Sequence, residues 1–207
     1  PIKIGAPAID YATGTMGAYA LSAALFQRER TGRGQRVDMA MLDVATMLMA
    51  SHVTGYLRNG KHPKPSGNRT GHATSMAYKT KDGMVMIGAS NLRQQRRLWV
   101  ALERPDMAKR TNDERHADHD REESVLAEIM LTRTAAEWEE WLQARHVPAS
   151  RVRTMGEALA DPQIQSRGLL HRHENAPGVP GSFGVPVAAF KFAHGGPQVD
   201  RPPPMFG

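Results

Sequence analysis

The sequence predicts an α/β protein in two unequal pieces, and three observations point there. A long Ala/Leu-rich helical stretch is followed by an alternating segment and then by a second helical stretch, with short turns between them. A polar run rich in Pro and Gly interrupts that pattern. Beyond it, short alternating strands are interleaved with helices that carry strong capping signals. At 207 residues the chain has room for one good core, or for one domain and part of another.

The elements follow in order. Residues 11–31 read as the first helix: Ala, Leu and Phe supply its packing, "QRER" gathers charge in its last turn, and Gly32 stands where a C-cap is expected. "GQRVDMAM" alternates, with Val37, Met39 and Met41 on one face, which predicts a strand over 36–41. "LDVATMLMASHVTGYLRNG" predicts one helix ending near Gly60. "KHPKPSGNRTGHAT", residues 61–74, reads as a linker. "SMAYKT" and "MVMIGA" then flank "KDG", a hairpin in which Asp82-Gly83 suits a positive-φ position.

Ser90 or Asn91 is placed to cap "LRQQRRLWVALER", whose Leu92, Leu98, Trp99 and Leu102 form an apolar stripe. "EESVLAEIMLTR" and "TAAEWEEWLQARHV" predict a helical pair, and Thr134 with Glu137 makes a capping box at the second. "ASRVRT" reads as a short strand, Thr154 with Glu157 caps another helix, and Asp161-Pro162 starts a last short one. After Gly168, "LLHRHE" and "GVPVAAFKF" are short strands or extended segments. The expected organisation is part of a larger domain over 1–60, a linker over 61–74, a small α/β domain over 75–168 and an extended return segment over 169–207. The chain opens on Pro1 and closes in "DRPPPMFG", which predicts a piece of a longer protein.

Composition limits the function. Cysteine is absent, which removes disulfides, thiolate catalysis and Cys-based zinc sites, and fits a reducing cytoplasm. No apolar run reaches membrane-spanning length; "MAMLDVATMLMA" is short and carries Asp43. The formal charge of +6 favours anionic partners. Nucleic acid is not expected among them, because aromatics do not interleave with the basic residues.

Three constellations carry the chemistry to be weighed. Asp10 stands directly before the small-residue helix, in the position of an N-cap. The same carboxylate also suits a nucleophile, since an aspartate needs no base at neutral pH, and Gly14 and Gly17 leave space around it. "RTGRGQR" invites a phosphate-loop reading but runs from helix to strand, so a helix C-cap accounts for it better. His116 and His119 beside Asp118 and Asp120, and His171 with His173, lack a third ligand at fixed spacing, so no metal is expected.

The stretch "GAPAIDYATGTMGAYALSAALFQRERTGRGQRVDMAMLDV" resembles the central signature of the family III CoA-transferases. A Gly precedes the Asp, Thr-Gly and an Ala/Leu helix follow, and "R-x-R-T-G-x-G-Q" and "V-D-x-x-M-x-D" come in order. The "Y-x-T-x-D-G" hairpin, "DPQIQSRG", "PGVP…GVPVAAFKF" and "RPPPMFG" continue the likeness over nearly the whole chain. The resemblance implies a partial large Rossmann-like domain and a smaller α/β domain of an interlocked homodimer. It implies that Asp10 is the catalytic residue and passes through an aspartyl-CoA intermediate. A coenzyme A thioester is then a substrate, with a small carboxylic acid as acceptor and no tightly bound cofactor. A glycine-containing loop over the active site finds its nearest match in Gly67, Asn68, Arg69 and Gly71, without a run of consecutive glycines. As a piece of such an enzyme the chain is expected to lack turnover by itself. Two rivals stay open: an α-methylacyl-CoA racemase of the same superfamily, which places an Asp at the same point, and a non-catalytic basic binding module.

Overall fold

A computed structural model describes residues 5–199 and 201–202, and it divides into two compact units, Pro1–Thr70 and Gly71–Gly207. Pro1, and in "DRPPPMFG" Asp200 and residues 203–207, from which a longer protein is expected, lie outside the described residues.

In the first unit, helix α1 runs from Ala8 to Thr31. Pro7, with φ fixed at −74°, precedes it, and its carbonyl accepts the Tyr11 N–H at 3.1 Å. Gly32 ends the helix at φ 70°, its N–H donating to the Arg28 carbonyl, as the sequence predicts. The predicted strand over 36–41 does not form. Residues 33–40 carry no ladder, because no second strand lies beside them among the described residues. Met39 instead lays its methyl group over Gly17: a Cβ there would stand 2.9 Å from it. The single helix expected next is two, α2 (Met41–Leu48) and α3 (Ala50–Asn59), broken at Met49 with φ −93° and ψ 16°. Gly60 closes α3.

In the second unit, β1 (Ala77–Lys79), β2 (Met84–Ile87) and β3 (Ala149–Arg151) form an antiparallel sheet in that order, with Tyr78 opposite Val85 and Met86 opposite Ser150. Gly83 does not use a positive φ in the hairpin. Side-chain bonds hold that turn instead: the Gly83 N–H donates to Thr80 Oγ1, and Asp82 Oδ1 accepts from the Ala135 N–H at 2.8 Å.

Helices α6 (His119–Met130) and α7 (Ala135–Gln143) pack on the sheet, α4 (Leu92–Ala101) joins the same core, and α5 (Asn112–Ala117) precedes α6. The core is their apolar stripes with the inner sheet face: Val85, Ile87, Leu98, Trp99, Leu126 and Leu142 are all fully buried. The caps are those the sequence announces, at Asn91, Thr134, Thr154 and Asp161, the last two opening α8 (Met155–Ala160) and α9 (Pro162–Ser166). Helix α5 and its own capping box, Thr111 with Glu114, were not predicted. The chain then forms a hairpin of β4 (Leu170–Glu174) and β5 (Ser182–Pro186), with Arg172 opposite Gly184. No helix among the described residues is long and apolar enough to cross a membrane.

Candidate functional site

Asp10 is not the cap of α1. It is the third residue of the helix, inside the first turn, because Pro7 supplies both the entry angle and the first helical acceptor. An acid there faces the positive pole of the helix. Its carboxylate is exposed and has no hydrogen bond or ion pair among the described residues. Gly14 and Gly17 lie one and two turns on, along the same helix face. The space at Gly14 is open, whereas Met39 fills that at Gly17. One of the two glycines thus leaves room beside the carboxylate, and the other lets the segment carrying Met39 approach the helix.

The loop residues divide between the units. Gly67, Asn68 and Arg69 belong to the first and are exposed; they form a turn in which the Arg69 N–H donates to the Ser66 carbonyl at 3.0 Å and Gly67 takes φ 59°. Gly71 opens the second unit, where a Cβ would come within 3.3 Å of the His116 ring. His72 stacks on that ring, with centroids 4.9 Å apart. Burial, followed by the nearby Arg115, His116 and His119 charges, holds His72 below the usual histidine range.

Sequence reasoning missed the most heavily buried polar pair. Arg115, on α5, is fully buried and donates to the carbonyls of Ser90 and Ala89, to Thr74 Oγ1 and to Asn112 Oδ1. Glu122, on α6, is also fully buried. Burial pushes its carboxyl up to about 6, against the pull of Lys109, Arg115 and the Trp99 indole. The Thr111–Glu114 spacing was the signal that would have placed α5 and turned Arg115 inward. Of the residues able to hold a metal, His119, Asp120 and Glu123 bring their donor atoms within 4.8 Å of one another. His119 Nδ1 lies 3.7 Å from Asp120 and 3.6 Å from Glu123, and the two acids suit the first turn of α6.

Comparison with known proteins bears on this geometry. The model of CoA-transferase family III matches residues 1–207. The chain is 29% identical, over its whole length, to the human succinyl-CoA:glutarate CoA-transferase, of which it covers 48%. It is 36% identical over 176 residues to the succinyl-CoA:mesaconate CoA-transferase of Haloarcula marismortui, with 82% of this chain and 43% of that protein aligned. Among solved structures, an aspartate-to-alanine mutant of Rv3272 from Mycobacterium tuberculosis superposes with a TM-score of 0.81 at 26% identity, covering 99% of this chain and 54% of that one. The chain spans about half the length of the curated relatives it matches.

Proposed function

The chain belongs to CoA-transferase family III, and on that premise we propose that the protein moves coenzyme A from an acyl-CoA to a carboxylic acid through Asp10. The observation that supports this reading is a carboxylate exposed and without a partner among the described residues, at the start of a long helix, with open space one turn on at Gly14.

The steps balance without a base or a metal. The Asp10 carboxylate attacks the thioester carbonyl, forming a mixed anhydride and expelling CoA as its thiolate. The thiolate attacks the aspartyl carbonyl, which releases the donor acid and leaves an aspartyl-CoA thioester. The acceptor carboxylate attacks that thioester, giving a second anhydride and the thiolate again. Attack of the thiolate on the acceptor's acyl carbon yields the new acyl-CoA and restores Asp10. No water is consumed, and the thioester bond is conserved. The relatives' own substrates suggest succinyl-CoA as donor and a dicarboxylic acid as acceptor.

The test uses the full-length protein. Incubation with succinyl-CoA and quenching with hydroxylamine are expected to leave a hydroxamate on the peptide carrying Asp10. Asp10→Ala is expected to abolish the label and lower transfer by on the order of a thousandfold or more, as loss of a nucleophile does. An unlabelled Asp10 peptide, with deuterium entering the α-carbon of the acyl group from heavy water, overturns transfer in favour of racemisation. Neither signal over several acyl-CoAs also overturns it.

A further inference from the structure

The small domain carries a cationic hollow that the Asp10 chemistry does not use. Leu92, Arg93 and Arg96 of α4 line it on one side, and Lys109 and Arg110, from the segment before α5, line it on the other; its volume is about 350 Å³. Lys109 is paired with Asp118, which Arg121 also approaches at 3.9 Å. The acid nearest Arg110 in sequence is already engaged, since Glu114 Oε2 accepts the backbone N–H groups of Arg110 and Thr111. No carboxylate among the described residues pairs with the side chains of Arg93, Arg96 or Arg110.

This arrangement works against the stability of the helix that bears it. Arg93 is the second residue of α4, where the helix dipole opposes a cation, and the first turn holds no acid to offset it. Arg93 and Arg96 are three residues apart, so two like charges share one face. Of these cations Asp118 relieves Lys109 alone, and three guanidinium groups without a carboxylate partner among the described residues line one hollow.

We propose that this hollow binds a multiply charged phosphate group, of the pyrophosphate class. Three guanidinium forks offer paired N–H donors that match tetrahedral oxyanions, and the Lys109 ammonium beside them is held by Asp118. A monocarboxylate neutralises too little of that charge. The positive pole of α4 adds to the field and does not create the site. Such a phosphate belongs either to a CoA thioester or to a separate polyphosphate-bearing metabolite, and the binding experiment separates these.

Calorimetric titration of the full-length protein with inorganic pyrophosphate, at low and at physiological salt, is expected to show saturable binding that weakens with salt. The triple variant Arg93→Gln, Arg96→Gln, Arg110→Gln is expected to weaken it by on the order of tenfold or more. A control triple with the same loss of charge elsewhere, Arg58→Gln, Lys79→Gln, Lys81→Gln, is expected to stay within about twofold. Pyrophosphate is expected to raise the thermal midpoint of the native protein and not that of the first triple. Competition by desulfo-CoA assigns the phosphate to CoA; simultaneous binding of both assigns it to a separate ligand. Absence of saturable binding, or equal weakening in the two triples, overturns the site whatever the outcome at Asp10.

Discussion

The two units hold their helices in different ways. In the first, the N-cap positions of α1, α2 and α3 are Pro7, Ala40 and Met49, and none makes a side-chain cap. In the second, Asn91, Thr111, Thr134, Thr154 and Asp161 all do, and only α6, with Asp118 at its N-cap, lacks a side-chain cap among the described α-helices of that unit. Burial divides the same way. Val44 is the one buried apolar side chain among the described residues of the first unit, while Tyr11, Leu42 and Leu57 are 69%, 75% and 78% exposed. The second unit closes a core around Trp99, Leu98 and Leu126, each at 0%. Helices α2 and α3, of eight and ten residues, are comparable in length to those of the second unit, and at such lengths, below roughly 12–15 residues, a helix depends on caps and packing. The second unit is specified by its own caps and core, and the first, within the described residues, draws little on either.

The sharpest way to break that comparison is a pair of truncations. Trp99→Ala is expected to cost about 3–5 kcal/mol, the usual range for a buried aromatic. Leu57→Ala removes a side chain that touches little, and is expected to stay within about 0.5 kcal/mol. All three tryptophans, Trp99, Trp138 and Trp141, lie in the second unit, so indole fluorescence from Trp138 and Trp141 during urea unfolding follows Trp99→Ala, and far-ultraviolet circular dichroism, which sees the helices of both units, follows Leu57→Ala. A comparable shift of the midpoint in both variants breaks the comparison.

Glu122 sharpens it, because a well-made core that encloses a carboxylate acquires a pH dependence. Its pKa is raised from 4.5 in the unfolded chain to about 6 in the fold. The folded state therefore holds the proton more tightly, and the contribution to stability is complete below the lower value and lost as pH rises through the upper one. The difference corresponds to about 2 kcal/mol. Glu122→Gln is expected to remove this loss, so that the stability of the native chain relative to the variant falls by about 2 kcal/mol between pH 4.5 and pH 7.5. Arg115 keeps four neutral acceptors in the variant, which guards it against being left bare. Urea unfolding at several pH values measures this, and parallel profiles refute it.

What the sequence disclosed follows from the same contrast. Thr134–Glu137, Thr154–Glu157 and Asp161-Pro162 were legible because each signal acts within four residues, and the fold obeys all three. The strand over 36–41 is not found because alternation fixes which side chains share a face, while a ladder needs a neighbouring strand, and none lies beside 33–40 among the described residues. Asp10 was placed as a cap from its residue type, while Pro7, three positions earlier, decided where the helix begins. The burial of Arg115 and Glu122 was hidden in "DERHADHDREE", which reads as a solvated face until α5 and α6 close on Thr74 and Trp99.

The smallest effect concerns the caps, and it can be read in both directions. Thr134 Oγ1 accepts the Glu137 N–H at 3.2 Å, and Glu137 returns a bond to the Thr134 N–H at 2.8 Å. Thr134→Ala is expected to cost the second unit about 1 kcal/mol. Ala40, at the start of α2, already has the extended backbone of a cap, φ −120° and ψ 144°, and lacks only the acceptor. Ala40→Ser is expected to strengthen α2 by about 0.5–1 kcal/mol, seen as slower amide exchange over residues 44–48 with no change in the urea midpoint reported by the tryptophans. If α2 in the first unit already exchanges as slowly as α7, its support comes from packing rather than from missing caps. If Ala40→Ser slows it selectively, want of a local cap accounts for its weakness.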